Sequence, residues 1–423
     1  MKLARTGGRG SWRAQRLLES LEHRGAGGSA QAIPVVEEIV RAVRRGGDRA
    51  LRRYSARFDG LAPRQAFAVD REEMEEARRA LSPALRRAME SAAKNIRSFA
   101  RRQMPKEWSE TTGGLTRGQR IRPIASVGCY VPGGRYPLPS TMLMTVIPAQ
   151  VAGVERIAVA SPHPAKETLA AAAMLDIRTF YRIGGAQAVA ALAYGTESVP
   201  RVDKVVGPGN RFVTAAKRMV SFDCGIDMLA GPTEIVVCSE RGDPDGIAAD
   251  LAAQAEHDPD ALAIFVTTRE DLARQVVRRV HDRVKGNSIA KQAIAANGVA
   301  IVAASAAEAR AIVNRLAPEH LTVDAAEDLD WVRSAGSVFI GKHSPQPMGD
   351  YVSGPNHTLP TGGLARQRGG LSVMDYLKVI TVQQYTADGL RRLGPQAIAL
   401  AEAEGLRGHA EAVRARGIDA GNR

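Results

Sequence analysis

The sequence predicts an α/β protein built on parallel sheets, with mainly helical segments at both ends. From residue 124 onward, short apolar runs typical of strands alternate with runs of helical length, which is the pattern of βαβ units. The first hundred residues or so and the last fifty or so carry helical periodicity instead. At 423 residues the chain exceeds the usual size of one hydrophobic core, which favours two or three domains.

The N-terminal segment is predicted to be helical. Helical periodicity runs through 11–24, 32–57 and 70–103. Inside the second of these, the run from Arg44 to Asp48 contains two glycines and is typical of a helix stop followed by an N-cap. The third is broken at Ser82.

Two successive α/β runs follow. The first has predicted strands at 124–131, 156–160, 178–183 and 202–206, with helices at 140–152, 165–176 and 185–194, and it closes at 230–238. The second has predicted helices at 245–256, 269–284 and 305–316, with strands at 262–267, 298–303, 320–323 and 336–340. No repeat of fixed period relates the two runs. A short helix near 374–379 and a long helix at 386–404 complete the prediction.

The segment from Pro347 to Gly363 fits neither a helix nor a strand pattern. Gly and Pro interrupt it repeatedly, yet it carries Asp350, Asn356 and His357. A carboxylate and an imidazole close together on irregular backbone suit metal binding or proton transfer. A surface loop with incidental polar residues would have the same pattern, but long ordered loops in compact proteins are usually functional.

Composition limits the classes of function. The formal charge of +13 raises the hypothesis of nucleic-acid binding. However, aromatic residues make up only 4% and the basic residues are spread over amphipathic helices, so an arginine-rich surface is the better interpretation. No apolar run reaches the roughly 18 residues of a membrane span. The basic start has no apolar signal core, so we expect a cytoplasmic protein.

The cysteines do not form a recognisable site. There are three, Cys129, Cys224 and Cys238, and no two of them have CxxC spacing. This pattern is neither a disulfide framework nor a cysteine zinc site. Any metal must therefore be bound by His, Asp, Glu or amide oxygens.

Two pairs of polar residues are candidates for chemistry in the second α/β run. Gln254 and His257 are three apart near a predicted helix end, so they would share a face, and such a pair can bind a divalent ion. Glu319 and His320 lie between a helix and a strand. Neighbours in extended backbone face opposite ways, so this pair suits two separate proton transfers better than one dyad. Ordinary structural polar residues would fit both patterns.

A third pair, Glu404 and His409, ends the last long helix. Positions five apart in a continuous helix point about 140° away from each other. Gly405 and Gly408 are expected to break the helix and let both groups face one site. An ordinary helix end stopped by glycine is the alternative.

Phosphate-binding signals are weak. No GxGxxG follows a strand with an acidic residue about 20 positions later. Gly184 and Gly185 before a helix, and the turn 207–210 after a strand, would let backbone approach a ligand, although tight turns would look the same.

Taken together, these segments resemble the histidinol dehydrogenase family over roughly residues 35–412. The matching stretches occur in the family's order: 133–141, Ile183-Gly-Gly-Ala-Gln, Val206-Gly-Pro-Gly-Asn, Ala230-Gly-Pro-Thr-Glu, Gln254-Ala-Glu-His-Asp, Ala317-Pro-Glu-His-Leu, 349–363 and 403–409.

The resemblance implies an NAD-dependent, four-electron oxidation of L-histidinol through L-histidinaldehyde to L-histidine, the last step of histidine biosynthesis. It implies two incomplete Rossmann-like parallel-sheet domains with helical arms, in an intertwined homodimer. The implied divisions are an arm at 1–25, a first α/β domain at 26–125 and 235–370, a second at 126–234 on the NAD side, and an arm at 371–423.

The resemblance also implies roles for individual residues. One zinc per subunit would be bound by Gln254, His257 and Asp350, with His409 supplied by the partner chain, and would orient the substrate. His320 would be the general base for the hydroxyl proton, and Glu319 would activate water for the second oxidation. The remaining implied contacts are Thr233, His357 and Glu404 for substrate, and Tyr130, Gln187 and Asn210 for NAD. The ligands of the zinc and both acid–base residues would contact substrate as well.

Two departures from the family are visible. Many members have Ser where this chain has Thr233, and the segment 364–370 is more basic than usual. An aldehyde oxidation through a Cys129 thiohemiacetal is an alternative without a nearby sign of thiol activation. A homologous zinc- and NAD-dependent dehydrogenase of another small diol, such as a sulfopropanediol, is the alternative function. The Glu404 to His409 ending favours histidinol.

Overall fold

A computed structural model describes residues 1–8, 11–25, 32–133 and 136–417. Some residues that carry predictions lie outside these ranges. They are 134 and 135 of the matched stretch 133–141, 26–31 at the start of the expected first domain, and 418–423 of the expected C-terminal arm. The chain forms two units, a larger one of Met1–Gln103 with Ile124–Tyr376 and a smaller one of Met104–Pro123 with Leu377–Arg423. Within the described ranges, no helix is long and apolar enough to cross a membrane.

The first sheet of the larger unit has six parallel strands in the order β1-β11-β10-β9-β12-β13. The strands are β1 (Lys2–Arg5), β9 (Glu234–Cys238), β10 (Leu262–Thr267), β11 (Val299–Val302), β12 (His320–Val323) and β13 (Ser337–Ile340). All residues of β10 are buried, as expected for a parallel sheet covered on both faces.

Helices cover both faces of this sheet. One apolar cluster joins it to α9 (Pro244–Ala255), α10 (Glu270–Arg283) and α11 (Ser288–Asn297). The other joins it to α1 (Ser11–Glu22) and α12 (Ala306–Leu316).

The second sheet of the larger unit has five parallel strands in the order β6-β5-β4-β7-β8. These are β4 (Ser126–Tyr130), β5 (Arg156–Ala160), β6 (Thr179–Tyr181), β7 (Lys204–Val206) and β8 (Gly225–Ile226). One apolar cluster packs α2 (Ile33–Phe58), α7 (Gly185–Tyr194) and α8 (Arg211–Val220) against this sheet. The remaining helices of the larger unit are α3 (Arg71–Arg79), α4 (Pro83–Arg102), α5 (Pro139–Ala152), α6 (Lys166–Met174) and α13 (Pro347–Tyr351).

In the part of the smaller unit that the structure describes, an antiparallel sheet is accompanied by two helices. Its strands are β2 (Trp108–Thr112), β3 (Leu115–Pro123) and β14 (Leu377–Tyr385), in the order β14-β3-β2. The helices are α14 (Ala387–Ala403) and α15 (Arg407–Arg414), which pack together through Ile398 and Ala410.

The prediction of an α/β fold with parallel sheets is confirmed. The helix stop predicted near Arg44 is also confirmed, because α2 is interrupted at Gly47, which has a φ of 49°. Other predictions were wrong at the two ends. The expected N-terminal helical arm begins with strand β1, which is too short to show periodicity. The helix expected at 374–379 is a 3-10 turn that leads into β14, where four consecutive apolar or β-branched residues favour a strand.

The structure also contains helices and strands that the sequence patterns did not predict. The strands β2 and β3 and the helices α8 and α11 were not predicted. The segment 347–363 was expected to be irregular throughout, yet it begins with the one-turn helix α13. The proposed division of the larger unit into two domains stays a prediction.

Candidate active site

The candidate acid–base pair lies where α12 turns into β12. Ala317 ends the helix in the left-handed region, with a φ of 46°, which is a costly conformation for a residue with a Cβ. The turn delivers Glu319 just before the strand and His320 as its first residue. Both side chains are buried.

Glu319 accepts hydrogen bonds from the Thr233 hydroxyl at 2.6 Å and from the Glu234 backbone N–H at 2.8 Å. The His320 ring lies with Nδ1 3.1 Å from the Glu234 carbonyl and with Nε2 3.7 Å from the Asp350 carboxylate. A carbonyl only accepts, so Nδ1 carries the proton and Nε2 is the basic nitrogen when the ring is neutral.

The expectation that Glu319 and His320 face opposite ways was wrong in part. Glu319 Oε2 and His320 Nδ1 approach to 3.6 Å, because Glu319 precedes the strand and the alternation of strand side chains does not reach it. This distance is too long for a hydrogen bond, so the pair forms no dyad.

Burial and mutual charge shift the pKa values of this pair. Burial raises the pKa of the Glu319 carboxyl to about 7. Burial alone would lower the pKa of His320, but the Glu319 and Asp350 carboxylates outweigh it and raise that pKa to about 8. The two groups therefore titrate as a coupled pair near neutral pH, which suits acid–base chemistry.

Gln254 lies in the last turn of α9 and is completely buried. Its amide nitrogen donates to the Thr233 hydroxyl, which extends the hydrogen-bond chain to Glu319. Its oxygen Oε1 is buried without a hydrogen-bond partner. An orphaned carbonyl oxygen of this kind is costly unless something binds it.

His257 lies in the turn after α9 rather than on the helix. The helix ends at Ala255, so the expected position of His257 on the helix end was wrong, but the two residues remain neighbours, with the His257 N–H 3.4 Å from the Gln254 carbonyl. His257 is also among the neighbours that lower the pKa of Asp350.

Asp350 lies in α13 and accepts a hydrogen bond from Gln346 at 3.0 Å. Burial acts to raise its pKa, but His320 and the other nearby imidazoles outweigh burial and lower the pKa. Asp350 is therefore ionised at neutral pH. It lines a cavity of about 390 Å³ together with His320 and His357.

His357 is held at both ring nitrogens. Nδ1 lies 2.9 Å from the Asp350 carbonyl and Nε2 lies 3.2 Å from the Thr141 hydroxyl. Burial lowers its pKa, which keeps the ring neutral. A substrate contact through Nε2 would have to replace the contact with Thr141.

The residues present fit a metal ion. Gln254 offers an unpaired buried oxygen, Asp350 an ionised carboxylate and His257 an imidazole. The carboxylate and the imidazole are usual zinc donors, and the amide oxygen is an unusual one. Among the described residues, no group of three or more His, Cys, Asp or Glu side chains is arranged to hold a metal. The expected ligand set has only two such residues from one chain, since Gln254 is an amide and His409 is expected from a partner.

The predicted NAD contacts lie at the carboxyl ends of strands in the second sheet. Tyr130 ends β4, Gln187 is in the first turn of α7, and Asn210 caps α8 through its side-chain oxygen. The strand order reverses between β4 and β7, and ligands of open α/β sheets bind at such a reversal. Asn210 is exposed, whereas Tyr130 and Gln187 are buried.

A buried carboxylate fixes Gln187. Asp59 accepts hydrogen bonds from the Gln187 amide nitrogen and the Gly184 N–H, both at 3.0 Å. The Gly185 N–H donates to the Tyr130 hydroxyl at 3.2 Å. Asp59 carries no recognisable signal in the sequence, because it follows a helix end like many surface residues.

Glu404 and His409 lie in the smaller unit. Glu404 caps α14 directly after its last residue, and Gly405 breaks the helix with a φ of 76°, as predicted. Gly408 was expected to break it too, but it lies inside α15 together with His409. Both predicted functional side chains are exposed.

The sequence model of histidinol dehydrogenase matches residues 22–417. The chain belongs to the histidinol dehydrogenase family. Histidinol dehydrogenase from Methanothermobacter thermautotrophicus is 48% identical over 395 residues, covering 90% of this chain and 92% of that protein. The enzyme of that name from Aquifex aeolicus is 42% identical over 417 residues, covering 96% and 98%.

A solved structure agrees with this assignment. The crystal structure of histidinol dehydrogenase from Elizabethkingia anophelis matches with a TM-score of 0.91 and 36% identity, covering 98% of each chain. The histidinol dehydrogenase fold is therefore shared over almost the whole chain.

One residue of the site was missed in the sequence. Glu234 contacts both Glu319 and His320 through its backbone, and its own side chain is buried. A signal existed, since a carboxylate at the first position of a buried strand needs a partner.

Proposed function

We propose that this chain catalyses the NAD-dependent oxidation of L-histidinol, through L-histidinaldehyde, to L-histidine. Membership of the histidinol dehydrogenase family over most of the chain supports the reaction. The observation that carries the mechanism is the buried Glu319 and His320 pair, whose pKa values lie near neutrality beside the ionised Asp350. Two bases in one site match a reaction with two oxidations.

The two bases have different tasks in this proposal. His320 accepts the hydroxyl proton of histidinol on Nε2, since Nδ1 is committed to the Glu234 carbonyl. Glu319 accepts a proton from the water that attacks the aldehyde, and the Thr233 hydroxyl orients the carboxylate for this step. In each oxidation NAD would accept a hydride from the substrate.

We propose one zinc per subunit. The orphaned Gln254 oxygen, His257 and Asp350 would bind it, together with His409 of the partner subunit. Bound zinc would orient the amino and imidazole nitrogens of the substrate. Thr233, His357 and Glu404 complete the proposed substrate contacts.

We propose that NAD binds at the carboxyl edge of the second sheet. The reversal of strand order beside Tyr130 supports this position, and the exposed Asn210 supports a direct contact. The buried Gln187 would act through the turn at Gly184, which it shares with Asp59. We also propose that each of the two parallel sheets belongs to an incomplete Rossmann-like domain.

We also propose that the chain forms a homodimer in which each subunit contributes residues to the active site of the other. Glu404 and His409 are exposed on the smaller unit, so they are available to complete the site of a second subunit.

Steady-state assays with two substrates test the proposed function. Purified protein is given NAD with either L-histidinol or a sulfopropanediol, and NADH is followed at 340 nm. The proposal predicts NADH from histidinol with a far higher kcat/KM. Turnover of the sulfonated diol alone would refute it. Metal analysis of the same sample should give one zinc per chain.

A further inference from the structure

The backbone of Glu234 contacts both members of the acid–base pair. Its N–H donates to the Glu319 carboxylate at 2.8 Å, and its carbonyl lies 3.1 Å from His320 Nδ1. The first contact orients the carboxylate, and the second selects the ring tautomer that leaves Nε2 basic. One peptide segment therefore sets the geometry of both bases.

The side chain of Glu234 holds that segment in place. Its carboxylate forms two hydrogen bonds with Arg24, at 2.5 Å to Nε and 2.7 Å to a terminal nitrogen. The Gly362 N–H adds a third at 2.9 Å. The Arg24 and Glu234 side chains are only 13% and 4% exposed, so water does not screen this paired interaction as it would at the surface.

Arg24 is itself fixed by two carbonyl groups. It donates to the carbonyl of Leu21 in the last turn of α1 at 2.6 Å and to that of Leu316 at the end of α12 at 2.8 Å. The guanidinium thus joins the ends of two helices to the first residue of β9. The same Leu316 immediately precedes the strained turn that delivers the pair.

We propose that Arg24 is a positioning residue for both oxidation steps, acting through Glu234 on Glu319 and His320. The inference rests on the proposed function. Without Arg24, the Glu234 carboxylate would be buried without its cation and would have to protonate or move towards other donors. Either change shifts the peptide that orients both bases, so Arg24 would act through Glu234 and two carbonyl groups rather than on the bases directly.

The test compares variants of the zinc-loaded enzyme in the two half-reactions. Arg24→Met should lower kcat for histidinol and for histidinaldehyde alike, on the order of 10- to 100-fold, as misplacement of catalytic groups does. The KM values for both substrates and for NAD should stay within about twofold, since no binding group is removed. Arg24→Lys should recover part of kcat, because it restores the charge but not the paired geometry.

A matched control is available at the same junction of α1 and α12. Arg315 and Glu22 form an ion pair at 2.5 Å that also joins α1 to α12 but does not touch Glu234. Arg315→Met should retain kcat in both half-reactions. Melting temperatures and zinc content of every variant should be measured alongside.

A double variant covers the case in which Arg24→Met does not fold. Arg24→Met with Glu234→Gln removes the uncompensated buried charge, so it should fold, yet it should remain slow in both half-reactions. Full kcat in either Arg24→Met or the double variant would overturn the proposal. So would a loss confined to one half-reaction, or an equal loss in Arg315→Met. If the wild-type protein makes no NADH from histidinol, the proposed function fails instead.

Discussion

Replacing Thr233 by Val removes one hydroxyl from the centre of the proposed site with little change of shape. That hydroxyl donates to Glu319 at 2.6 Å and accepts from Gln254. The donated hydrogen bond favours the ionised carboxylate and opposes the effect of burial, which raises the pKa of Glu319 to about 7. Its loss should raise that pKa further.

The size of the effect follows from the strength of the bond. A hydrogen bond to a charged group contributes about 1.5–3 kcal/mol, which corresponds to about one to two pKa units. The Glu319 pKa would then rise from about 7 to about 8–9, and the ionised fraction at pH 7 would fall about 5- to 50-fold. Because only the ionised form accepts a proton, the aldehyde oxidation should slow by the same factor at pH 7 and recover above about pH 9.

The assay is the initial rate of NADH formation from histidinaldehyde between pH 6 and pH 10. Thr233→Ser is the matched control, since it keeps the hydroxyl, and its pH profile should follow that of the wild type. Zinc content must be compared as well, because Thr233 also holds the Gln254 amide.

Two results would refute this reasoning. The Thr233→Val profile could superimpose on that of the wild type, which would mean that Glu319 is not the base of the second step. Alternatively, Thr233→Ser could shift the profile as much as Thr233→Val, which would assign the effect to packing rather than to the hydroxyl.

Three further predictions concern the dimer, the metal and the cofactor. Mixing equal amounts of His409→Ala and Glu319→Ala chains should restore about a quarter of wild-type activity, because half the dimers are mixed and each of those has one intact site. If mass spectrometry shows that mixed dimers have formed and activity still does not recover, the sites are not shared. A chelator should abolish NADH formation and added zinc should restore it, whereas full activity in protein shown to be zinc-free would exclude a metal requirement. Asp59→Ala leaves the Gly184 N–H and the Gln187 amide without their acceptor, and each unpaired group should destabilise the fold by about 1–3 kcal/mol. The melting temperature should therefore fall and the KM for NAD should rise. An unchanged KM would show that this network does not support cofactor binding.

Local patterns in the sequence were sufficient for most of the two parallel sheets. Apolar runs such as β10, and the helices between such runs, follow from periodicity that neighbouring residues share. The residues of β14 favour a strand locally, but the pairing that stabilises this strand lies far away in the sequence. That strand pairs with β3, more than 250 residues earlier, from Leu377 opposite Pro123 to Tyr385 opposite Leu115. The residues near 377 do not indicate which segment this partner is.

The candidate site was reached largely through family resemblance. Chemistry alone pointed to Asp350 and His357 as an interesting pair, but it did not select Gln254, which is an unusual metal donor. Contacts over long sequence separations were also out of reach. The hydrogen bonds between Arg24 and Glu234 join residues 210 apart, so the position of Glu234 in a buried strand indicates that it needs a partner but not that the partner is Arg24.

The yield of NADH per histidinol consumed tests the central claim most directly. Oxidation of an alcohol to a carboxylic acid removes four electrons, and each NAD accepts two, so complete conversion should give two NADH and one L-histidine per histidinol. A yield of one NADH, with histidinaldehyde as the product, would contradict the assignment of two bases to two successive oxidations.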